Sequence, residues 1–266
     1  MSTWWQVRIA GEEESYADQA AQAAFAITDR MESLMSRFRE ESEISIVSTL
    51  PQGGRYKLSK PVFDCLALAE KYRIATRGAF DICAAARSGG QDPRWHLDEE
   101  TQEFVADSEE CRIDLGAIAK GYALDQMAEE LIIWGIEKFL LMSSGSSILA
   151  GKPPEGETGW RVRLELGEGD AADAVEILLA QQGLGTSGSA MRGDHILDPS
   201  TGRPAVRYQR SWALADTAAE ADALSTSWMN MEWEQIFQFC KDHPTVGATI
   251  LDQENVFRFT GLFQLL

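Results

Sequence analysis

Apolar and polar positions change period several times along the chain, and each change marks an element. Trp4-Trp5-Gln6-Val7-Arg8-Ile9 alternates well enough for a strand. From Tyr16 to Phe38 the residues Ile27, Met31, Leu34, Met35 and Phe38 fall on one helical face, which predicts a long amphipathic helix. Ser42 opens a short segment, Pro51-Gln52-Gly53-Gly54 reads as a turn, and Ser59 with Pro61 begins a second helix. Residues 88 to 110 are rich in Gly, Asp and Glu with little periodicity, so they read as a surface excursion.

A third helix runs from Lys120, carrying Ala123, Met127 and Leu131 inward, and stops near Gly135; Phe139 to Met142 then forms a short apolar strand. Trp160, Val162, Leu164 and Leu166 alternate with Arg161, Arg163 and Glu165 in a strong period of two. Further strands are expected at Val175 to Leu179, Ser211 to Ala215, Thr249 to Leu251 and Val256 to Phe259, the last two forming a hairpin. Helices from about Thr217 and about Trp233 lie between them. This mixed order, without regular βαβ alternation or an internal repeat, predicts an α+β fold over residues 1–266 as a single domain.

Charge narrows the classes of partner. A formal net charge of -18 argues against nucleic acid, whose binding relies on Lys and Arg neutralising phosphates. An anionic ligand would need a local site built from backbone amides, a few cations or a metal. Cys65, Cys83, Cys111 and Cys240 are widely spaced with no C-x-x-C pair, so reduced, buried thiols are expected rather than zinc ligands or disulfides. No apolar run reaches the roughly 18 residues that a membrane span requires, and Met1 to Trp5 lacks a basic segment leading into an apolar one. The chain as written therefore reads as soluble and cytoplasmic, with no transmembrane segment.

Three islands hold candidate chemistry. Residues 112 to 123 place Asp114, small residues and Lys120 at the opening of a helix, where a carboxylate, a cation and backbone groups sit within one turn. The same residues also suit a helix cap with glycines for close packing. Gly185-Thr186-Ser187-Gly188 supplies hydroxyls and open amides; after a polar spacer, the turn chemistry of Asp198-Pro199-Ser200-Thr201-Gly202-Arg203-Pro204 can fix His195 in one orientation. A held imidazole is either a general base or a structural group. On a helix from Thr217, Asp222 and Thr226 are four apart and share a face, giving oxygen ligands suited to Mg²⁺ or simply a solvated acidic face.

Taken in order, these islands resemble the ApbE family, the FAD:protein FMN transferases, over nearly the whole chain. The likeness includes Met1-Ser2-Thr3, Phe38 before Glu41-Ser42-Glu43-Ile44, and Gly78-Ala79-Phe80-Asp81. It continues through residues 114 to 123, Thr186-Ser187-Gly188, the segment from His195, and Ala221-Asp222-Ala223-Leu224-Ser225-Thr226. The resemblance implies an ApbE-like, T-fold-like architecture of two intimately packed lobes with the flavin site between them. It implies an FAD site lined by Met1, Phe38, Ala79, Phe80, Asp81, Asp114, Lys120, His195 and Ile196. It also implies Mg²⁺ held by the Ala117 carbonyl with Asp222 and Thr226.

The activity so implied is Mg²⁺-dependent cleavage of FAD, with FMN attached to a Thr or Ser of an acceptor flavoprotein and AMP released. His195 is the candidate base. An FAD pyrophosphatase, or a flavin-binding protein without turnover, is the alternative, and the family often works outside the cytoplasm. Two departures stand out. Family members usually carry Gly-Gly-Asp or Gly-Gly-Asn where this chain has Ser143-Ser144-Gly145-Ser146-Ser147, which restricts backbone approach. Phe38 occupies a position where Tyr is frequent, keeping a stacking ring without its hydroxyl.

Overall fold

The computed structural model describes residues 3 to 88, 94 to 109, 111 to 165, 174 to 188 and 196 to 262. Strand β1 (Trp5–Ile9) leads into helix α1 (Glu14–Met35), whose buried positions Ala20, Ala24, Thr28, Met31 and Met35 recur every three to four residues. α1 stops at Met35, so Phe38 lies beyond the helix in the connection that follows. Ser42 caps α2 (Glu43–Ser48), its Oγ accepting from the Ser45 amide at 3.0 Å. Strand β2 (Arg55–Lys57) separates this turn from α3 (Lys60–Ala75), which has Pro61 in its first turn, and α4 (Ala84–Ser88) follows.

The acidic stretch around residue 100 is more ordered than its composition suggests. β3 (Trp95–Asp98) and β4 (Glu103–Ala106) join β2 in an antiparallel sheet of order β2-β4-β3, with Phe104 and Ala106 completely buried. Each strand has four residues, too few for alternation to show against the charged turn joining them.

The remaining elements are α5 (Ala119–Ile133), β5 (Phe139–Ser143), β6 (Ser147–Ala150), β7 (Trp160–Glu165), β8 (Ala174–Leu179), β9 (Gln182–Gly188), β10 (Leu197–Asp198), β11 (Arg203–Pro204), β12 (Tyr208–Ala215), α6 (Ala218–Trp228), α7 (Trp233–Asp242), β13 (Gly247–Asp252) and β14 (Phe257–Gly261). The main sheet runs β1-β5-β6-β9-β12-β13-β14 with every neighbouring pair antiparallel. Side chains alternate between its faces. On one face Leu140, Ile148, Leu184, Trp212 and Leu214 meet Trp160, Val162, Leu164, Ile177 and Leu179 of the β7–β8 hairpin. On the other, Phe139 and Leu141 meet Leu124, Met127 and Leu131 of α5.

Under α6 the sheet is floored by small residues: Gly183, Gly185 and Ser187 of β9, and Ser211, Ala213 and Ala215 of β12. The register pairs Ser211 with Ser187 and Ala213 with Gly185, so these positions share a face. Here the glycines matter: a Cβ on Gly185 would stand 2.2 Å from the Ala221 carbonyl oxygen, and one on Gly183 would stand 2.5 Å from that of Thr217. The helix backbone therefore rests directly on the strand backbone.

Among the described residues no helix is long and apolar enough to cross a membrane. The four cysteines are buried and form no disulfide, and burial pushes the Cys240 thiol up to about 12. The serine-rich turn between β5 and β6 closes through the Ser146 amide donating to the Ser143 carbonyl at 3.1 Å. Its central residues Ser144 and Gly145 have φ of 48° and 68°, as a type I′ turn requires.

Two stability outcomes follow. Gly185→Ala is expected to destabilise the fold by about 3 kcal/mol, the upper end for overpacking against backbone that cannot yield. Ser144→Gly is expected to stabilise it by roughly 0.5–1 kcal/mol by relieving a left-handed non-glycine residue. Urea denaturation of the two variants beside the parent chain measures both.

Candidate functional site

The first turn of α5 forms without a capping side chain of its own, since Ile118 occupies the N-cap. Its free amides need partners from elsewhere. The Gly121 amide donates 2.8 Å to Asp222 Oδ2, a carboxylate 101 residues further on in α6. Ser147 Oγ donates to the same oxygen at 3.0 Å, and Lys120 Nζ stands 3.9 Å from it. Asp222 is 4% exposed. Burial raises its carboxyl above the usual range, against the opposing pull of Lys120, Ser147 and the Gly121 amide.

Because the Gly121 N–H turns to Asp222, it does not make the helical bond back to Ala117. Among the described residues no donor reaches the Ala117 carbonyl oxygen or Asp222 Oδ1. One turn along α6, Thr226 Oγ1 lies 3.1 Å from Ser187 Oγ, which is also 3.0 Å from Ser225 Oγ. Ser225 Oγ donates to the Asp222 carbonyl at 3.0 Å, and Ser211 Oγ donates to the Ser225 carbonyl at 2.5 Å. The Thr226 hydroxyl thus faces the β9 serine rather than bonding its own helix. Among the described residues no three acidic, imidazole or thiol side chains converge. A cation here would rest on one carboxylate and neutral oxygens, a donor set that suits Mg²⁺ far better than zinc.

Beside this junction lies a cleft of about 240 Å³ lined by Thr3, Met35, Ser36, Arg37, Phe38, Asp114, Leu115, Gly116, Ala119 and Lys120. Asp114 is held there on three sides: its amide donates to the Ile82 carbonyl at 2.8 Å, its Oδ1 accepts from the Gly116 amide at 2.9 Å, and Arg37 Nη1 lies 3.3 Å from Oδ2. Phe38 is 82% exposed, with the Arg37 guanidinium 4.7 Å from the centre of its ring. A hollow of about 300 Å³ near α7 is larger. Its rim is closed by an Arg207–Glu232 ion pair of 2.6 Å and includes none of the sequence islands, so the smaller cleft is the candidate site.

The sequence-derived residues divide accordingly. Phe38, Asp114 and Lys120 share the cleft, and Lys120 connects it to Asp222; Ala117 and Thr226 lie within a turn of that contact. Ala79, Phe80, Asp81 and Ile196 do not line the cleft. The Phe80 ring is in the core at 2% exposure and its amide is taken by Thr76 Oγ1 at 3.1 Å, while Ile196 is also a core residue. Asp81 Oδ1 accepts from the Cys83 amide at 2.8 Å. Met1 and His195 lie outside the described residues.

Three residues that pattern alone did not single out belong to the same assembly. Ser147 sits in the turn that departs from the family pattern. Asn230 Nδ2 donates to the Ala79 carbonyl at 3.1 Å and the Leu197 carbonyl at 3.2 Å, tying the Gly78–Asp81 motif to the second island. Asp125 accepts from the Ala218 and Ala219 amides at 2.8 and 2.9 Å. Burial pushes the Asp125 carboxyl up to about 7, against the pull of those two amides and with a further push from nearby Asp222 and Glu129. A carboxylate one turn after Gly121, at the start of α5, was the available signal.

Comparison with known proteins places this geometry. The sequence model of the ApbE family matches residues 1–250. An FAD:protein FMN transferase of Klebsiella pneumoniae (strain 342) is 25% identical over 97% of this chain and 84% of its own length. The enzyme of that description from Escherichia coli (strain K12) is 24% identical over 86% of this chain and 76% of its own. Among solved structures, the flavin transferase ApbE of Vibrio cholerae superposes with a TM-score of 0.81 at 20% identity, covering 97% of this chain and 93% of that one. The apo flavinyl transferase ApbE of Pseudomonas stutzeri gives 0.82 at 20% identity, over 96% and 90%. With the family model spanning nearly the whole length and the fold shared, the chain belongs to the ApbE family.

Proposed function

We propose that this protein is a Mg²⁺-dependent FAD:protein FMN transferase. The observation that carries the reading is that, among the described residues, the Ala117 carbonyl and Asp222 Oδ1 have no donor where α5 meets α6, with the Thr226 hydroxyl one turn along on Ser187 Oγ, beside Lys120 and the cleft. The relatives named FAD:protein FMN transferase support the substrate, and the donor set supports the metal.

Ala117, Asp222 and Thr226 would hold the cation. When bound, Mg²⁺ supplies positive charge to neutralise a pyrophosphate. Lys120 adds a second positive charge from the protein side, placed by the first turn of α5. Phe38, exposed at the rim, offers a face for an aromatic ring. At about 240 Å³ the cleft is smaller than pockets that enclose whole drug-sized ligands, so it takes one end of the dinucleotide and leaves the rest open to an acceptor.

In the reaction a Thr or Ser hydroxyl of the acceptor attacks the phosphorus on the FMN side. The new P–O bond forms as the pyrophosphate bond breaks, AMP leaves, and the hydroxyl proton passes to a base. His195 remains the candidate for that base. Positioning and electrostatics dominate such a transfer, which matches a site with a buried carboxylate, Lys120 beside it and ordered serines.

Incubation with FAD, Mg²⁺ and a flavoprotein acceptor is expected to add the mass of FMN to the acceptor and release AMP. Asp222→Asn is expected to lower that rate at least 100-fold, while circular dichroism shows a retained fold. Asp222→Asn at parental rate would contradict the proposal, and AMP release independent of acceptor would reassign the enzyme as a pyrophosphatase.

A further inference from the structure

Asp125 does not line the cleft, yet it joins the same two helices one turn along α5 from Gly121. The first three amides of α6 are all satisfied: Ala218 and Ala219 donate to Asp125 of α5, and Glu220 donates to the Oγ of the helix's own N-cap, Thr217, at 3.2 Å. The capping is reciprocal, because α5 receives its missing cap from Asp222 of α6 through the Gly121 amide. Gly121 and Asp125 are one turn apart on one face of α5. Between these two bonds the helices touch backbone to backbone, a Cβ on Gly121 coming to 2.1 Å from the Ala218 carbonyl oxygen.

We infer that Asp125 is a positioning residue for this site: bonded to the first two amides of α6, it holds that helix in register with α5 so that Asp222 stays on the Gly121 amide and beside Lys120. A helix capped by its own residue is stabilised wherever it lies. A helix capped from its neighbour is stabilised in one place, because the bonds form only at one offset and rotation. Thr217 supplies the first kind of cap to α6 and Asp125 the second. The consequence for catalysis rests on the function proposed above, whereas the register itself does not.

The two caps give a matched pair of variants, Asp125→Asn and Thr217→Ala. Both weaken the first turn of α6, but only the first removes an acceptor that ties it to α5. Amide hydrogen exchange at Gly121, followed by NMR in flavin-free and metal-free protein and referred to the slowest β12 amides, reads whether Asp222 remains on that amide. Asp125→Asn is expected to speed Gly121 exchange at least tenfold beyond its effect on β12, and to raise the Mg²⁺ concentration for half-maximal FAD cleavage at least fivefold. Thr217→Ala is expected to do neither. Where Asp125→Asn does not accumulate as folded protein, Asp125→Glu displaces the same bonds by one methylene, and the same excess exchange is expected from it. Gly121 exchange that follows β12 in the Asp125 variants, or rises equally in Thr217→Ala, would overturn the inference. A parent protein that releases no AMP from FAD would instead overturn the function and leave the exchange result to judge the register.

Discussion

The site depends on how closely α6 can lie against the sheet and against α5. Where Gly183 and Gly185 face α6, and where Gly121 faces Ala218, a single added carbon would come within 2.1 to 2.5 Å of a carbonyl oxygen. Backbone-to-backbone contact brings the Gly121 amide to the Asp222 carboxylate and Ser187 to Thr226. Interiors this dense do not deform gradually. A larger residue on the floor would lift the helix and its carboxylate together.

Close packing also explains how one buried carboxylate is kept without a full salt bridge. Asp222 is stabilised by a helix N-terminal amide, a serine hydroxyl and a lysine at ion-pair rather than hydrogen-bond distance. Both protein hydrogen bonds fall on Oδ2. Among the described residues no donor reaches the other oxygen, nor the Ala117 carbonyl just before α5. In a chain of net charge -18, Lys120 and the Gly121 amide supply the local positive field beside this buried carboxylate.

Much of this was legible in the sequence, and what was not has definite reasons. The helical face of α1, the period-two signal of β7 and the Thr217 start of α6 were visible because each is long enough, or capped distinctly enough, to stand above noise. β3 and β4 were hidden by their shortness. β9 was read as a source of hydroxyls and open amides, since glycine and serine dominate it, yet it is a central strand whose small residues exist to admit α6. Asp222 and Thr226 were legible by their spacing of four. Ser147, which bonds Asp222, and Asp125, which caps α6 at Ala218, were not, because nothing local announces a bond that spans 75 or 93 residues. The family resemblance implies Phe80 at the flavin site, and its ring lies in the core.

The most direct test replaces Mg²⁺ by Mn²⁺ in crystals grown with FAD and locates the ion by its anomalous scattering. The account predicts one peak coordinated by the Ala117 carbonyl, Asp222 and Thr226, with flavin nucleotide density entering the cleft between Phe38 and Lys120. A peak away from these three oxygens, or nucleotide density in the hollow lined by Arg207, Trp233 and Arg258, would contradict it.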